Sequence, residues 1–208
     1  NCNKKVWTEY FEPILLKNFK IGVSETTVNK VLENILKTDK EAEQYIIEKF
    51  ECQLAVDGSD EDIVGKNYIQ GKLDGVRLLT FCNIADNTVL QYTRNSKVNY
   101  NFPEINEEFK KILPSLKHSI VFDGEIIGKN FQSIMKQINR KTNVETTDSL
   151  LYLFDVITLE EFYIGISNTP LFERVKTLDS FATFSKNSPV QICPYEEVDL
   201  ATADGKNR

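Results

Sequence analysis

Lys72-Leu73-Asp74-Gly75-Val76-Arg77 is the stretch on which the interpretation of this sequence depends. The segments on either side of it, YIQG (68–71) and VRLLTFC (76–82), are rich in β-branched and aromatic residues and indicate β-strands. Lys72 is therefore predicted to lie on a short connection at the edge of a pocket. Because Asp74-Gly75 is also a turn signal, an ordinary hairpin turn with a flanking lysine and arginine is the alternative.

The residue types of this stretch suit phosphoryl chemistry. A lysine amine is a nucleophile when it is deprotonated, and burial or nearby positive charge favours the neutral form. Its attack on the α-phosphate of a nucleotide would give a phosphoramidate and release pyrophosphate. Mg²⁺ and arginine side chains stabilise the negative charge that develops on phosphoryl oxygens. Gly75 allows the backbone to approach a ligand closely, and Arg77 offers a planar fork of donors.

Further from the motif, the sequence predicts strands mixed with helices. Strand patterns recur in TVLQYT (88–93), SIVFDGEII (119–127) and SLLYLFDVIT (149–158). Apolar residues at three- and four-residue spacing predict helices near 105–113, 131–138 and 171–178. Since strands and helices do not alternate strictly, we expect an α+β domain with a mixed or antiparallel sheet, not a doubly wound parallel one.

The first 65 residues differ from the rest of the chain. Residues 1–50 are predicted to be helical, with one apolar stripe formed by Val28, Val31, Leu32, Ile35 and Leu36. Residues 51–65 are acidic and contain two glycines, which indicates a linker. We therefore expect a helical segment (1–50), a linker (51–65) and an incomplete α+β domain (66–208).

Composition excludes several classes of protein. No apolar run approaches the roughly 20 residues that a membrane-spanning helix needs, so no membrane association is expected. The four cysteines lack metal-ligand or CxxC spacing, and with a single histidine, His118, this argues against a zinc site, a disulfide framework and a Ser/His/Asp mechanism. The reducing cytoplasm is the expected compartment. The net charge of −6 disfavours nucleic-acid binding, but residues 65–100 carry five basic residues against two acidic ones.

The KLDGVR stretch resembles motif I of the covalent nucleotidyltransferases, which comprise ATP-dependent DNA ligases, RNA ligases and messenger-RNA capping enzymes. Three further segments resemble the later motifs of that family in the same order: Tyr92-Thr93-Arg94-Asn95, Asp123-Gly124-Glu125 and Leu153-Phe154-Asp155-Val156-Ile157. The resemblance implies an adenylation domain of ATP-grasp-like type. It also implies ATP and Mg²⁺ as the nucleotide and the metal.

The resemblance assigns roles residue by residue. Lys72 corresponds to the nucleophile that becomes linked to AMP, and Arg77 and Arg94 correspond to arginines that contact the nucleotide and the 5′-phosphate of the nick. Glu125 corresponds to the ribose-binding carboxylate and is also a candidate metal ligand. Phe154 corresponds to the ring stacked on the base, with Tyr152 as its competitor. Gln70 and Gly71 occupy positions beside the adenine, and Asp155 is expected on the opposite face of its strand, in a structural role.

The N-terminal segment favours a DNA ligase within this superfamily. Residues 15–30 (LLKNFKIGVSETTVNK) resemble the end of the helical DNA-binding domain of ATP-dependent DNA ligases, and small bacteriophage-type ligases look most similar. The resemblance implies a monomer in the cytoplasm, here of a phage-infected bacterium, that binds ATP and nicked duplex DNA. The DNA contacts that it implies come from Lys17, Lys20, Arg94 and Lys97.

Alternatives remain open at this point. They are an RNA ligase, a GTP-dependent capping guanylyltransferase and a nucleic-acid-binding module without catalysis. Gly71 departs from the family pattern, in which a hydrophobic residue precedes the lysine. The family's motifs IV and V and its oligonucleotide-binding (OB) domain are not found in the 208 residues. We therefore expect the chain to be incomplete.

Overall fold

The chain divides into two compact units, Asn1–Lys49 and Phe50–Arg208. A computed structural model describes residues 25–38, 50, 52–59, 61, 64–140, 148–181, 184 and 187–206. In the first unit, helix α1 spans Glu25–Ile35, where the apolar stripe predicts a helix. Lys17 and Lys20 lie outside the described residues. No helix among the described residues is both long and apolar enough to cross a bilayer.

The second unit contains two sheets. Its strands in chain order are β1 (Lys66–Gln70), β2 (Val76–Asn83), β3 (Thr88–Thr93), β4 (Val98–Asn99), β5 (Ile120–Ile127), β6 (Leu150–Thr158), β7 (Val190–Ile192) and β8 (Tyr195–Asp199). The larger sheet has six strands in the order β4-β3-β2-β5-β6-β7, and β1 pairs with β8 in a two-stranded sheet. Among these described strands, β6 and β7 pair in parallel and the other pairs are antiparallel. The predicted α+β class with a mixed sheet is confirmed.

This topology excludes a hairpin at the lysine motif. Strand β1 pairs with β8, whereas β2 pairs with β3 and β5. The connection 71–75 therefore runs from one sheet to the other. Lys72 lies on this connection between two sheets.

Three of the described helices cover one face of the large sheet. In chain order the remaining elements are α2 (Pro103–Ile112), a 3₁₀ turn (Leu113–Ser115), α3 (Phe131–Ile138), α4 (Leu159–Ile164), α5 (Leu171–Ser180) and α6 (Ala203–Lys206). Phe109 of α2, Ile134 of α3 and Leu178 of α5 bury their side chains in one core with sheet residues such as Phe122 and Leu151. Because side chains alternate along a strand, the neighbouring positions point to the other face.

The other face carries an aromatic cluster and, beside it, polar residues. Phe81 of β2 contacts the rings of Phe50, Tyr92 and Phe162, with centroids 4.8–5.5 Å apart. The pairs of Phe81 with Tyr92 and Phe162 are edge-on, an arrangement that is favourable for aromatic rings. This cluster covers one end of the face, and the other end is left for Arg77 and its neighbours.

Candidate functional site

An arginine–carboxylate pair lies beside the aromatic cluster, on the same face of the large sheet. Strands β2 and β5 pair so that Arg77 lies opposite Glu125 and Leu79 lies opposite Asp123, which puts both acids on the face of Arg77. Arg77 Nε donates to Asp123 Oδ1 at 2.9 Å, and its Nη2 donates to Oδ2. Its Nη1 donates to the backbone carbonyl of Gln53. These hydrogen bonds to Asp123 raise the pKa of Arg77 still further, so the guanidinium stays charged.

Glu125 holds the connection that carries the lysine. The backbone N–H of Gly75 donates to Glu125 Oε1 at 3.2 Å. Burial raises the pKa of Glu125, while the Gly75 hydrogen bond and the positive charges of Lys72 and Arg77 oppose that rise. Gly75 lies so close to β5 that a Cβ would stand 2.2 Å from the carbonyl oxygen of Ile126. Only glycine fits at this crossing.

Lys72 lies three residues before Gly75, and its side chain is exposed. Its positive charge opposes the rise in the pKa of Glu125. Gly71 lies in open space, since a Cβ at this position would meet nothing within 4 Å. The departure from the family pattern at Gly71 therefore leaves room on that side of the lysine.

A β-bulge places the aromatic ring. The register between β5 and β6 shifts between Asp123 and Gly124, so that Asp155 lies opposite Asp123 and Leu153 opposite Gly124. Phe154 is the extra residue, and its ring centroid lies 5.7 Å from the Arg77 guanidinium carbon, within cation–π range. The prediction that Asp155 points away from Phe154 is wrong, because the bulge interrupts the alternation and both residues line the same cavity.

Asp155 has a partner that sequence reasoning missed. Arg174 of α5 donates from Nε to Asp155 Oδ1 at 2.7 Å and from Nη2 to Oδ2 at 2.9 Å. Its Nη1 donates to the carbonyl of Thr169. The hydrogen bonds to Asp155 raise the pKa of Arg174. The signal in the sequence was an arginine directly before Val175, a member of the apolar stripe of that helix.

These residues enclose a cavity of about 610 Å³, a size common for small-molecule sites. Gln70, Arg77 and Phe154, all predicted site residues, line it together with Asp123. The opposing wall comes from residues 52–55 and from the α4–α5 connection. The segment expected to be a linker therefore contributes to the site. Lys72 and Glu125 are not among the lining residues. Glu125 is hydrogen-bonded to the β1–β2 connection through Gly75, three residues after Lys72.

Arg94 and Lys97 lie on the turn between β3 and β4. The N–H of Thr93 donates to the carbonyl of Lys97 at 2.9 Å and closes the turn. The Cys52 thiol lies 3.9 Å from the carbonyl oxygen of Arg94, so the turn borders a residue that lines the cavity. Both basic side chains are exposed.

Without a bound nucleotide, the acidic residues of the site provide few ligands for a metal ion. Within the described ranges, no group of three or more His, Cys, Asp or Glu residues could hold an ion. Asp123 is committed to Arg77, which leaves Glu125 as the carboxylate beside the lysine. Mg²⁺ needs only one or two protein carboxylates when nucleotide phosphates supply the other ligands, so the site fits a nucleotide-bound ion.

Comparison with known proteins identifies the class. Residues 53–203 match the family model described as ATP dependent DNA ligase domain. The chain therefore belongs to the ATP-dependent DNA ligase domain family, within the nucleotidyltransferase superfamily, and the resemblance drawn from its motifs is confirmed. No curated protein matches the chain.

Solved structures agree with this assignment. Pmar-Lig_PreS3 and Pmar-Lig_Pre each share 34% identity with the chain at a TM-score of 0.71, with all of this chain covered and 48% and 47% of theirs. The ATP-dependent DNA ligase from bacteriophage T7 in complex with ATP has a TM-score of 0.54 at 18% identity, over 73% of this chain and 56% of its own, and shares the fold. The chain spans about half the length of these relatives.

Proposed function

We propose that the protein is an ATP-dependent DNA ligase that joins a 5′-phosphate to a 3′-hydroxyl at nicks in duplex DNA. Family membership supports the ligase class. The observation that carries the proposal is the fixed position of the lysine connection: Gly75 is hydrogen-bonded to Glu125, beside a cavity that Arg77 and Phe154 line. A cation and a ring line a nucleotide-sized cavity, and the connection with the lysine is hydrogen-bonded to a carboxylate beside it.

In the first step of the proposed reaction, Lys72 attacks ATP. Its neutral amine bonds to the α-phosphorus, the bond from that phosphorus to the pyrophosphate oxygen breaks, and the amine loses a proton to solvent. Phe154 stacks on the adenine, Gln70 contacts its edge, and Glu125 accepts hydrogen bonds from the ribose. Arg77 uses three of its five N–H donors within the protein, which leaves two for the nucleotide.

Two transfers complete the proposed cycle. An oxygen of the 5′-phosphate, positioned by Arg94, attacks the α-phosphorus, so that the bond to Lys72 breaks and the amine regains a proton. The 3′-hydroxyl oxygen then attacks the 5′-phosphate phosphorus, AMP leaves, and the hydroxyl proton is released. Arg94 suits this role because its turn borders Cys52 at the cavity wall.

Mg²⁺ would be held by Glu125 and by the phosphates of ATP. When bound, it would supply positive charge that stabilises the phosphoryl oxygens. The residues of the chain perform the other tasks: they bind the base and ribose, orient the phosphate and hold the lysine connection in place.

The wider organisation is part of the same proposal. Residues 1–50 would form the end of a helical DNA-binding domain, with Lys17 and Lys20 on the DNA, and 66–208 would form the adenylation domain. Lys97 would add a phosphate contact beside Arg94. The protein would act as a monomer in the cytoplasm, and its DNA affinity would fall as salt rises.

The intact mass of the protein after incubation with ATP and Mg²⁺ tests the first step. We expect one AMP adduct, lost when pyrophosphate is added and absent from Lys72→Ala. Lys66→Ala is the matched control, because Lys66 is an exposed lysine nearby on β1 that pairs with Glu197. An adduct that persists in Lys72→Ala would contradict the assigned nucleophile. Labelling from GTP alone would point instead to a capping enzyme.

A second assay tests the acceptor. The adenylated protein is mixed with nicked duplexes whose strands are all DNA, all RNA or one of each, and sealing is followed on denaturing gels. Sealing of the DNA nick supports the proposal, and sealing of RNA alone would reassign the protein as an RNA ligase. Binding of nicked DNA without any adduct would indicate a module without catalysis.

A further inference from the structure

Three tyrosines lie near β4, which is an edge strand of the large sheet among the described strands. Val98 of β4 lies opposite Tyr92 of β3, and Asn99 lies opposite Gln91, the residue before Tyr92. Tyr100 directly follows Asn99, so it comes immediately after the end of β4. The Tyr100 side chain is 68% exposed.

The third tyrosine comes from helix α4. Phe162 packs on Phe81 at 4.8 Å, and Phe81 packs on Tyr92 at the same distance. The next residue, Tyr163, lies 6.0 Å from Phe162 and is 69% exposed. Burial raises the pKa of Tyr92, and the neighbouring phenols of Tyr163 and Tyr100 add to the rise, which agrees with three phenols close together.

Basic residues lie beside Tyr92, on the turn that follows it. Arg94 and Lys97 stand exposed on the turn that joins β3 to β4, beside Tyr92. From Asn87 to Pro103 the sequence contains no acidic residue. The combination offers hydroxyl, guanidinium and ammonium donors over an aromatic base. This chemistry matches phosphodiester oxygens and the sugars between them.

We infer that Tyr92, Tyr100 and Tyr163, with Arg94 and Lys97, form a tyrosine surface that binds the phosphodiester backbone of the DNA duplex, outside the nucleotide cavity. The inference rests on the proposed function for the identity of the partner. The exposed hydroxyls of Tyr100 and Tyr163 donate to phosphate oxygens, and their rings lie against the sugars. Tyr92 forms the half-buried base of this surface, because its ring is packed in the aromatic cluster.

Fluorescence anisotropy with labelled nicked duplex DNA tests the surface in the full-length protein. For Tyr100→Ala/Tyr163→Ala we expect the Kd to rise about tenfold, since hydrogen bonds to charged groups are strong. Tyr100→Phe/Tyr163→Phe retains the rings and should show a smaller rise. Phe131→Ala is the matched control, because Phe131 is an exposed aromatic residue, 43% accessible, on helix α3. Thermal melting verifies that each variant is folded.

The salt dependence separates the two kinds of contact. Lys97→Gln should lower the slope of log Kd against log salt by about 1, because one phosphate charge is no longer neutralised. The tyrosine-to-phenylalanine variant should weaken binding without a change in slope, since a hydroxyl releases no counterion. Folded tyrosine variants that bind the duplex as tightly as wild type would overturn the inference.

Failure of the tyrosine surface can be distinguished from failure of the proposed function. The AMP adduct on Lys72 is measured on the same variants without DNA. If the adduct forms normally and the duplex affinity is unchanged, the tyrosine surface is wrong and the ligase proposal stands. If no adduct forms on any protein but the alanine variant loses duplex affinity, the surface stands and the proposed activity is wrong.

Discussion

At the scale of single residues, Gly75 has no room for a side chain. A Cβ there would stand 2.2 Å from Ile126 O, 2.9 Å from Ile127 Cγ2 and 3.0 Å from Glu125 Cγ. Gly75→Ala must push the connection away from β5, and we expect it to destabilise the fold by about 1–3 kcal/mol. Because Lys72 moves with the connection, AMP transfer should fall as well. Thermal melting and adduct mass measure the two effects.

Gly71 provides the matched control for Gly75. It lies on the same connection, but a Cβ there meets nothing within 4 Å. Gly71→Ala should leave the melting temperature and the adduct yield close to wild type. Equal losses in the two variants would show that backbone flexibility of the connection, not the close approach at Gly75, is what matters.

The reactivity of the cysteines tests whether the nucleotide binds in the cavity. Cys52 lines it and is half-buried, whereas Cys82 is fully buried, and burial raises the pKa of Cys82 to about 12. Since the thiolate is the reactive form, iodoacetamide at pH 8 should modify Cys52 well before Cys82. Bound ATP should slow the reaction at Cys52. Peptide mapping with and without ATP checks both expectations. If Cys52 reacts at the same rate with and without ATP, the nucleotide binds elsewhere.

At the scale of elements, Asn101 closes the end of helix α3. Its Nδ2 lies 2.8–2.9 Å from the carbonyl oxygens of Gln137, Ile138 and Arg140, and the residue is buried. Asn101→Ala leaves buried carbonyls without this donor and should cost roughly 2–3 kcal/mol in the free energy of unfolding. Urea denaturation gives that free energy.

Asn139, at the same end of α3, is the control for Asn101. Its side chain donates to the Met135 carbonyl at 2.8 Å, but the site is exposed and water can replace the bond. Asn139→Ala should change stability by less than about 0.5 kcal/mol. A cost similar to that of Asn101→Ala would mean that burial is not the cause.

Helix α5 acts on the cavity through Arg174. Its paired hydrogen bonds to Asp155 hold the residue that follows Phe154 at the bulge. Lysine cannot reproduce this two-bond geometry, so Arg174→Lys should loosen the ring and raise the KM for ATP more than it lowers kcat. Lys176→Gln, an exposed change two residues further along the helix, should leave both constants unchanged. Single-turnover adenylation measures them.

The spacing of apolar residues and the clusters of β-branched and aromatic residues made much of this architecture predictable from sequence. Segments such as 76–82 and 119–127 form the central strands, because β-branched and aromatic residues there are buried on the large sheet. The short strand β4 and the helix α4 were missed, since two and six residues are too short for a period to show. Lys72 and Glu125 could also be selected from the sequence, because each belongs to a motif of a few consecutive residues.

Contacts between distant parts of the chain could not be predicted. The bulge at Phe154 depends on how β6 aligns with β5, and one residue of shift reverses which side chains share a face. The Arg174–Asp155 pair joins residues 19 apart whose approach only the fold decides. The contribution of segment 52–55 to the cavity likewise follows from the Arg77 hydrogen bond to Gln53.

At the scale of the whole molecule, Phe50 marks the start of the second unit. Its ring lies 5.1–5.5 Å from the rings of Phe81, Tyr92 and Phe162. A protein that begins at Phe50 should therefore unfold in one cooperative transition. Phe50→Ala in that protein removes three ring contacts, at a cost of roughly 2 kcal/mol.

That cost corresponds to a fall in Tm of roughly 4–8 °C for a unit of this size. Val56→Ala is the control, because Val56 is 87% exposed and should leave the Tm unchanged. Differential scanning calorimetry gives both values. A broad transition without a clear midpoint in the protein that begins at Phe50 would show that the second unit needs residues before Phe50 to fold.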